Sequence, residues 1–289
     1  MLIWGIQGEI KVVSIDIDFY KETYFTFDEP VPYKLKCGET LYLSPVFLNN
    51  YMLFITSYGI LDIDKNSTND VEIISMPYLK FLVKRVFPYY KESIQQFVNI
   101  CVLCMGLKTP EIKLTDKNKF VLYDAEEGMN IDITQKEFED IKKIILYQNL
   151  LNYDDAYINP ELKENMDELD RLRNKDLVPP SLERRIAIIT SHCGLSKKEQ
   201  LKMTIRSHSL LFQEVSKEVE YMCSKPIAVY GGKSNDINWI FEKKKGKFDD
   251  YITSKESYNR SMGGDGNIIK ANNNIDRDLI SQYDKFQGG

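Results

Sequence analysis

Histidine is scarce in this 289-residue chain, which holds only His192 and His208. That excludes histidine-rich metal sites and thins the supply of groups that exchange protons near neutral pH. Long apolar runs are missing too. None approaches the ~18 uninterrupted apolar residues that a membrane span requires, so no membrane association is expected. Positive charge is not in excess: 38 Lys and Arg stand against 43 Asp and Glu, a net charge of −5. A protein that coats nucleic acid is ordinarily basic, so that class is disfavoured. Cysteine occurs in an odd number (Cys37, Cys101, Cys104, Cys193 and Cys223) without the regular spacing of a disulfide scaffold. The opening MLIWGIQGEIKVV lacks a basic start, and its short apolar run is broken by Gln7 and Glu9, unlike a secretory signal. A reducing cytosol is therefore the expected compartment. What is present is ordinary for a globular protein: 43% apolar and 28% charged residues, in a chain long enough to bury a core without staples.

Periodicity divides the chain. Residues 8–30 alternate, with Val13, Ile15, Ile17 and Phe19 against Ser14, Asp16 and Asp18, and read as strands. Residues 31–48 are punctuated by Pro32, Gly38 and Pro45 and read as a strand or two with turns. The run 49–61 fits a helix or a buried strand, and 62–70 is a polar loop. From Met76 the period lengthens into helices broken at Pro88 and stopped at Gly106. Residues 111–133 return to period two, a hairpin or meander. Thr134 and Glu137 form a capping box before a helix carrying Phe138, Ile141 and Ile145. A charged helix is expected over 161–174, with a thin stripe of Met166, Leu169 and Leu172. A stiff linker follows at 176–181, then a helix from Ser181 to Gly194. A second capping box, Ser196 with Glu199, opens a longer helix through Leu201, Ile205, Val215 and Met222. After Pro226 comes a strand-like IAVYGGK, and the last ~30 residues are rich in Gly, Asn and Asp, the composition of a mobile tail. Segregated runs of strand and helix predict an α+β fold. The expected regions are a β-rich 1–75, helices with a meander at 111–133 inside 76–175, a helical 176–225, and 226–289 with a short strand or helix and a polar tail.

Each pattern that carries chemistry has a plainer structural explanation. Cys101 and Cys104 form C-x-x-C, but at the end of an apolar helix instead of its start, where a thiol would be activated. They read as core residues. His192 and Cys193 are adjacent, and neighbours on a helix point about 100° apart, so they make no nucleophile–base pair. Asp62, Asp64, Asn66, Asn69 and Asp70 resemble the start of a calcium loop, yet Ser67 and Ile73 replace the required glycine and glutamate. Gly231-Gly232-Lys233-Ser234 lacks the first glycine of a phosphate loop. Residues 181–215 have a helix-turn-helix outline. Over 181–223 seven basic residues face five acidic ones, a thin charge for phosphate contacts. The basic run at 242–248 is flanked by acids, and Trp239, Phe241, Phe248 and Tyr251 around it could form a partner-binding surface. No catalytic, cofactor or metal site is expected.

Four stretches carry a family resemblance: GETLYLSPVFLNNYMLF (38–54), LDIDKN with IISMPYLKFL (73–82), ITQKEFEDIKKIILYQN (133–149) and HCGLSKKEQLKMTIRSHSLLFQEV (192–215). Over roughly 38–220 the chain resembles bacteriophage tail assembly chaperones and related tail-region proteins of low-GC phages. The resemblance implies a non-enzymatic assembly factor that binds the tape measure or tube protein in the host cytoplasm and acts in virion morphogenesis, without a cofactor. Two alternatives stand beside it: a structural component of the tail, retained in the virion, and a DNA-binding module at 181–215. Self-association is left open.

Overall fold

A computed structural model describes residues 15–229 apart from 66, 67, 69, 115–119, 125, 127, 128, 156–158 and 174–177. The described elements begin with α1 (Ile17–Thr23), a 3-10 turn, and a hairpin of β1 (Val31–Lys34) and β2 (Thr40–Leu43). Next come α2 (Tyr51–Ser57), α3 (Val71–Ser75), α4 (Tyr78–Phe81) and α5 (Lys91–Met105). Strands β3 (Pro110–Leu114), β4 (Phe120–Asp124) and β5 (Met129–Ile133) form an antiparallel meander in that order. The helices α6 (Gln135–Asn149), α7 (Pro160–Arg173), α8 (Leu182–Cys193), α9 (Lys197–Gln200) and α10 (Ile205–Val229) follow. The architecture is mixed α+β with small antiparallel sheets, as the segregated periodicities predict.

Helix α6 is the axis of the core. Thr134 and Glu137 close the expected capping box, and Phe138, Ile141, Ile144 and Ile145 are fully buried. Three of its polar residues, Glu137, Gln148 and Asn149, are buried as well, because they pair with backbone groups in and around the β1–β2 hairpin. Asn149 accepts from the Val46 amide at 2.7 Å, and Gln148 donates to the carbonyls of Glu29 and Leu43. Asp140 accepts from the Tyr33 hydroxyl at 2.9 Å. A two-stranded hairpin is marginal alone; here it is docked on a helix through groups that would otherwise be unpaired.

Three local differences from the sequence reading have tertiary causes. The alternating stretch expected as strand holds α1, started by Asp16, whose carboxylate accepts from the Phe19 amide. Its half-buried side chains Ile17 and Tyr20 pack on the core from one side, which a short helix does as well as a strand. The N-terminal part is therefore not β-rich over the described residues; its strands are β1 and β2. The helix expected from Ser196 onward is interrupted. Its capping box is present, but α9 is a single turn, and α10 starts anew at Ile205. The break is held by the segment before α2: the Leu48 amide donates to Met203 O and the Ile205 amide to Val46 O. Asp28, in the left-handed region at φ 57°, accepts from Thr204 Oγ1 at 2.6 Å and from Ser207 Oγ. Finally, α10 continues through Pro226 to Val229, where the sequence predicts a strand.

The expected break at Pro88 is present: residues 87–90 are non-helical, and α5 starts at Lys91. Ahead of the break, Leu82–Val86 form a π-helical turn in which the Phe87 amide donates to Leu82 O. Just before it, buried Tyr78 pins the chain after α2: its hydroxyl donates to Ile60 O at 2.9 Å and accepts from the Ile63 amide at 2.8 Å. Replacing Tyr78 by Phe keeps the ring against Phe138 but strands both backbone groups. We expect Y78F to lose about 1–3 kcal/mol of unfolding free energy in urea titration.

Candidate functional site

Helix α2 with the 3-10 turn that follows it (Tyr58–Leu61), and helix α10, each offer three residues at i, i+4 and i+7 to a shared cleft. From the first stretch come Tyr51, Ile55 and Tyr58; from α10 come Ile205, Ser209 and Phe212. This spacing places all three on one side of a helix. The segment after α6 supplies Leu150 and Tyr153, and α8 supplies Arg185. The cleft encloses about 480 Å³ and is open to solvent. Its walls are mostly aromatic and aliphatic, with few polar groups, the usual make-up of a binding recess.

Two charged side chains line it. Asp62 lies near the Tyr153 hydroxyl. Burial pushes the Asp62 carboxyl above its ordinary value, opposed by nearby Lys142 and Lys163 and by the Tyr153 hydroxyl. Burial likewise raises the Tyr153 phenol, so it remains a neutral donor. Half-buried Arg185 donates its Nε–H to Pro180 O at 3.0 Å, and its guanidinium carbon lies 5.9 Å from the Phe212 ring centre. Among the described residues no carboxylate is within ion-pair distance of it.

Behind Arg185 sits a buried polar knot. Gln200 Nε2 lies within hydrogen-bond distance of Ile186 O, Thr190 Oγ1 and Leu195 O, which share its two hydrogens, while its carbonyl oxygen lies 3.3 Å from His208 Nε2. Burial, and then the Arg185 charge, push the His208 pKa down, so the imidazole is neutral at pH 7. This knot holds α8, α9 and α10 together. At the far end of α8, His192 Nε2 is 2.7 Å from a Glu218 carboxylate oxygen. Arg185 against Phe212 and His192 against Glu218 mean that α8 and α10 run side by side in the same sense. Beyond Glu218, α8 has ended, and the apolar face of α10 goes on without it. Phe212 and Val215 are half-buried and buried, whereas Val219 and Met222, seven positions further on, are 47% and 64% exposed.

The residues singled out by motif do not converge. Cys101 and Cys104 sit in α5 with no exposed surface, and burial raises both thiols far above their ordinary range. Cys193 is exposed, and His192 faces Glu218. Asp70 caps α3, Asp64 lies 3.7 Å from Lys163, and Asp62 turns to the cleft. Among the described residues no three His, Cys, Asp or Glu side chains gather as a metal site would require. No described helix is long and apolar enough to cross a membrane. In the helix-turn-helix outline, Arg184, Lys197 and Lys198 are exposed, but Arg185 lines the cleft and Arg206 donates to Tyr147 O. Trp239, Phe241, Phe248 and Tyr251, and the Gly231–Ser234 turn, lie outside the described residues. No motif in the sequence marks the cleft aromatics. Their i, i+4, i+7 spacings are readable there, but not that stretches some 150 positions apart face each other. Comparison of the chain with protein-family models, with curated proteins and with solved structures finds no match.

Proposed function

We propose that this chain is a non-enzymatic assembly factor of a bacteriophage tail, binding a helical segment of the tape measure or tube protein. One observation supports the binding mode: the apolar seam of α10, covered as far as Val215, runs on in the same register through exposed Val219 and Met222. A seam of this kind suits helix-in-groove recognition, in which apolar anchors recur every three to four residues. The phage setting comes from the resemblance over 38–220.

That test is co-expression of the full chain with the tape-measure and tube proteins of the same phage genome, followed by affinity capture. One of them is expected to co-purify. The double variant V219D/M222D places two carboxylates on the seam and is expected to weaken capture at least about tenfold, as loss of interface anchors does. Its circular dichroism should stay unchanged, because both positions are exposed. Clean absence of association with either protein would overturn the proposal.

A further inference from the structure

Arg185 occupies an unusual position for a cation. Its Nε–H is spent on Pro180 O, its face lies against Phe212, and it borders an open, largely apolar cleft without an ion-pair partner among the described residues. Both contacts fix the guanidinium plane, and neither neutralises its charge. A half-buried charge in an apolar wall is costly unless something compensates it. The guanidinium fork is suited to a carboxylate, which it binds through two parallel N–H bonds.

We infer that the cleft captures a carboxylate side chain of a partner polypeptide on Arg185, with the adjoining apolar group held between Tyr51, Tyr58 and Phe212. A carboxylate fits better than a phosphate. Among the described residues Arg185 is the sole cation lining the cleft, and Asp62 lines it too, so a dianion would be under-compensated. The polypeptide source rests on the assembly reading above, while the carboxylate chemistry rests on the cleft alone. Phe212 belongs to both the cleft and the seam. Val219 lies seven positions along the same side of α10, about 10 Å at 1.5 Å per residue. A partner helix lying along the seam would thus carry Asp or Glu about seven positions from the apolar residue that covers Val219.

The experiment uses N-acetylphenylalanine and its carboxamide as probes, which differ by one charge, titrated into the ¹⁵N-labelled full chain and followed by NMR. The acid is expected to bind at least about tenfold tighter than the amide, the size of a charge-assisted hydrogen bond. Its addition should move the Arg185 Nε–H signal and the amides of Asn152 and Ser209. R185Q should erase the difference between the probes, and D62N should leave it or enlarge it. Equal binding of acid and amide to the wild-type chain, or a loss in D62N but not in R185Q, would overturn the inference. The wild-type comparison stands even if R185Q fails to fold. Capture of the tail protein through Val219 and Met222 is read separately, so either proposal can fail without the other.

Discussion

Phe138→Ala should be among the most damaging single changes in this protein, lowering its unfolding free energy by about 3–5 kcal/mol. Phe138 is 1% exposed, on the first turns of α6. Its ring centre is 5.8 Å from that of Phe97 on α5 and 6.4 Å from that of Tyr78 on α4. Truncation therefore removes the contact that joins three helices and leaves a void walled by two other rings. Aromatic pairs are worth about 0.5–1.5 kcal/mol beyond the area they bury, so losing both adds to the transfer and cavity terms. Neither neighbour can collapse readily into the gap. Tyr78 is tethered through its hydroxyl to Ile60 and Ile63, and Phe97 is packed edge-on against Phe87. For a domain of this size the loss corresponds to a fall of roughly 6–20 °C in melting temperature. Ile144→Val, in the same helix and equally buried, should cost only about 0.5–1.5 kcal/mol and serves as the control. Similar losses for the two variants would mean that the core relaxes around Phe138 and that the three-helix junction is not rigid.

The parts of the fold that were legible in the sequence are those decided locally. The capping boxes at Thr134–Glu137 and Ser196–Glu199 are both closed, and Gly106 and Gly194 end their helices at φ 70° and 73°. The meander over 111–133 follows from alternation and two polar turns. What was not legible depends on partners far along the chain. The interruption after Gln200 arises because Met203 and Ile205 bond to the backbone of Val46 and Leu48, which outweighs the helical pattern of the segment. Ile15–Thr23 satisfies either period, and only packing decides. The cleft is the extreme case: its walls come from Tyr51–Tyr58, Leu150–Tyr153, Arg185 and Ile205–Phe212, and no motif in the sequence brings these stretches together. Among the described residues, Cys101 and Cys104 lie in the core and Asp70 serves as a cap.

Glu137→Ala should approach the Phe138 variant in cost, for an electrostatic reason. The Glu137 carboxylate is 3% exposed and does two tasks at once. One oxygen accepts from the Thr134 amide at 2.8 Å, closing the capping box; the other accepts from the Lys36 amide at 2.6 Å, docking the β1–β2 hairpin on α6. Alanine leaves both amides unpaired, and each such group costs about 1–3 kcal/mol, for a combined loss of about 2–6 kcal/mol. The same residue sets a pH dependence. Burial alone would raise its carboxyl, but the bonds from Thr134 and Lys36 outweigh that and hold it below its ordinary value of 4.5. With the folded pKa below the unfolded one, the folded state binds fewer protons. Glu137 therefore stabilises the fold fully above its ordinary value, and that contribution is lost as pH falls through the folded pKa. Asp124 and Asp155 are depressed in the same direction, Asp124 mainly by the Lys108 amide, so the wild-type protein should weaken steadily on the acid side. Glu137→Gln keeps one oxygen acceptor but no titrating group. Its stability deficit against wild type, measured by urea titration from pH 7 down to pH 3, should be largest at neutral pH and should narrow as acid is added. A deficit that stays constant across that range would mean that the carboxylate's charge plays no part in holding the hairpin to the helix.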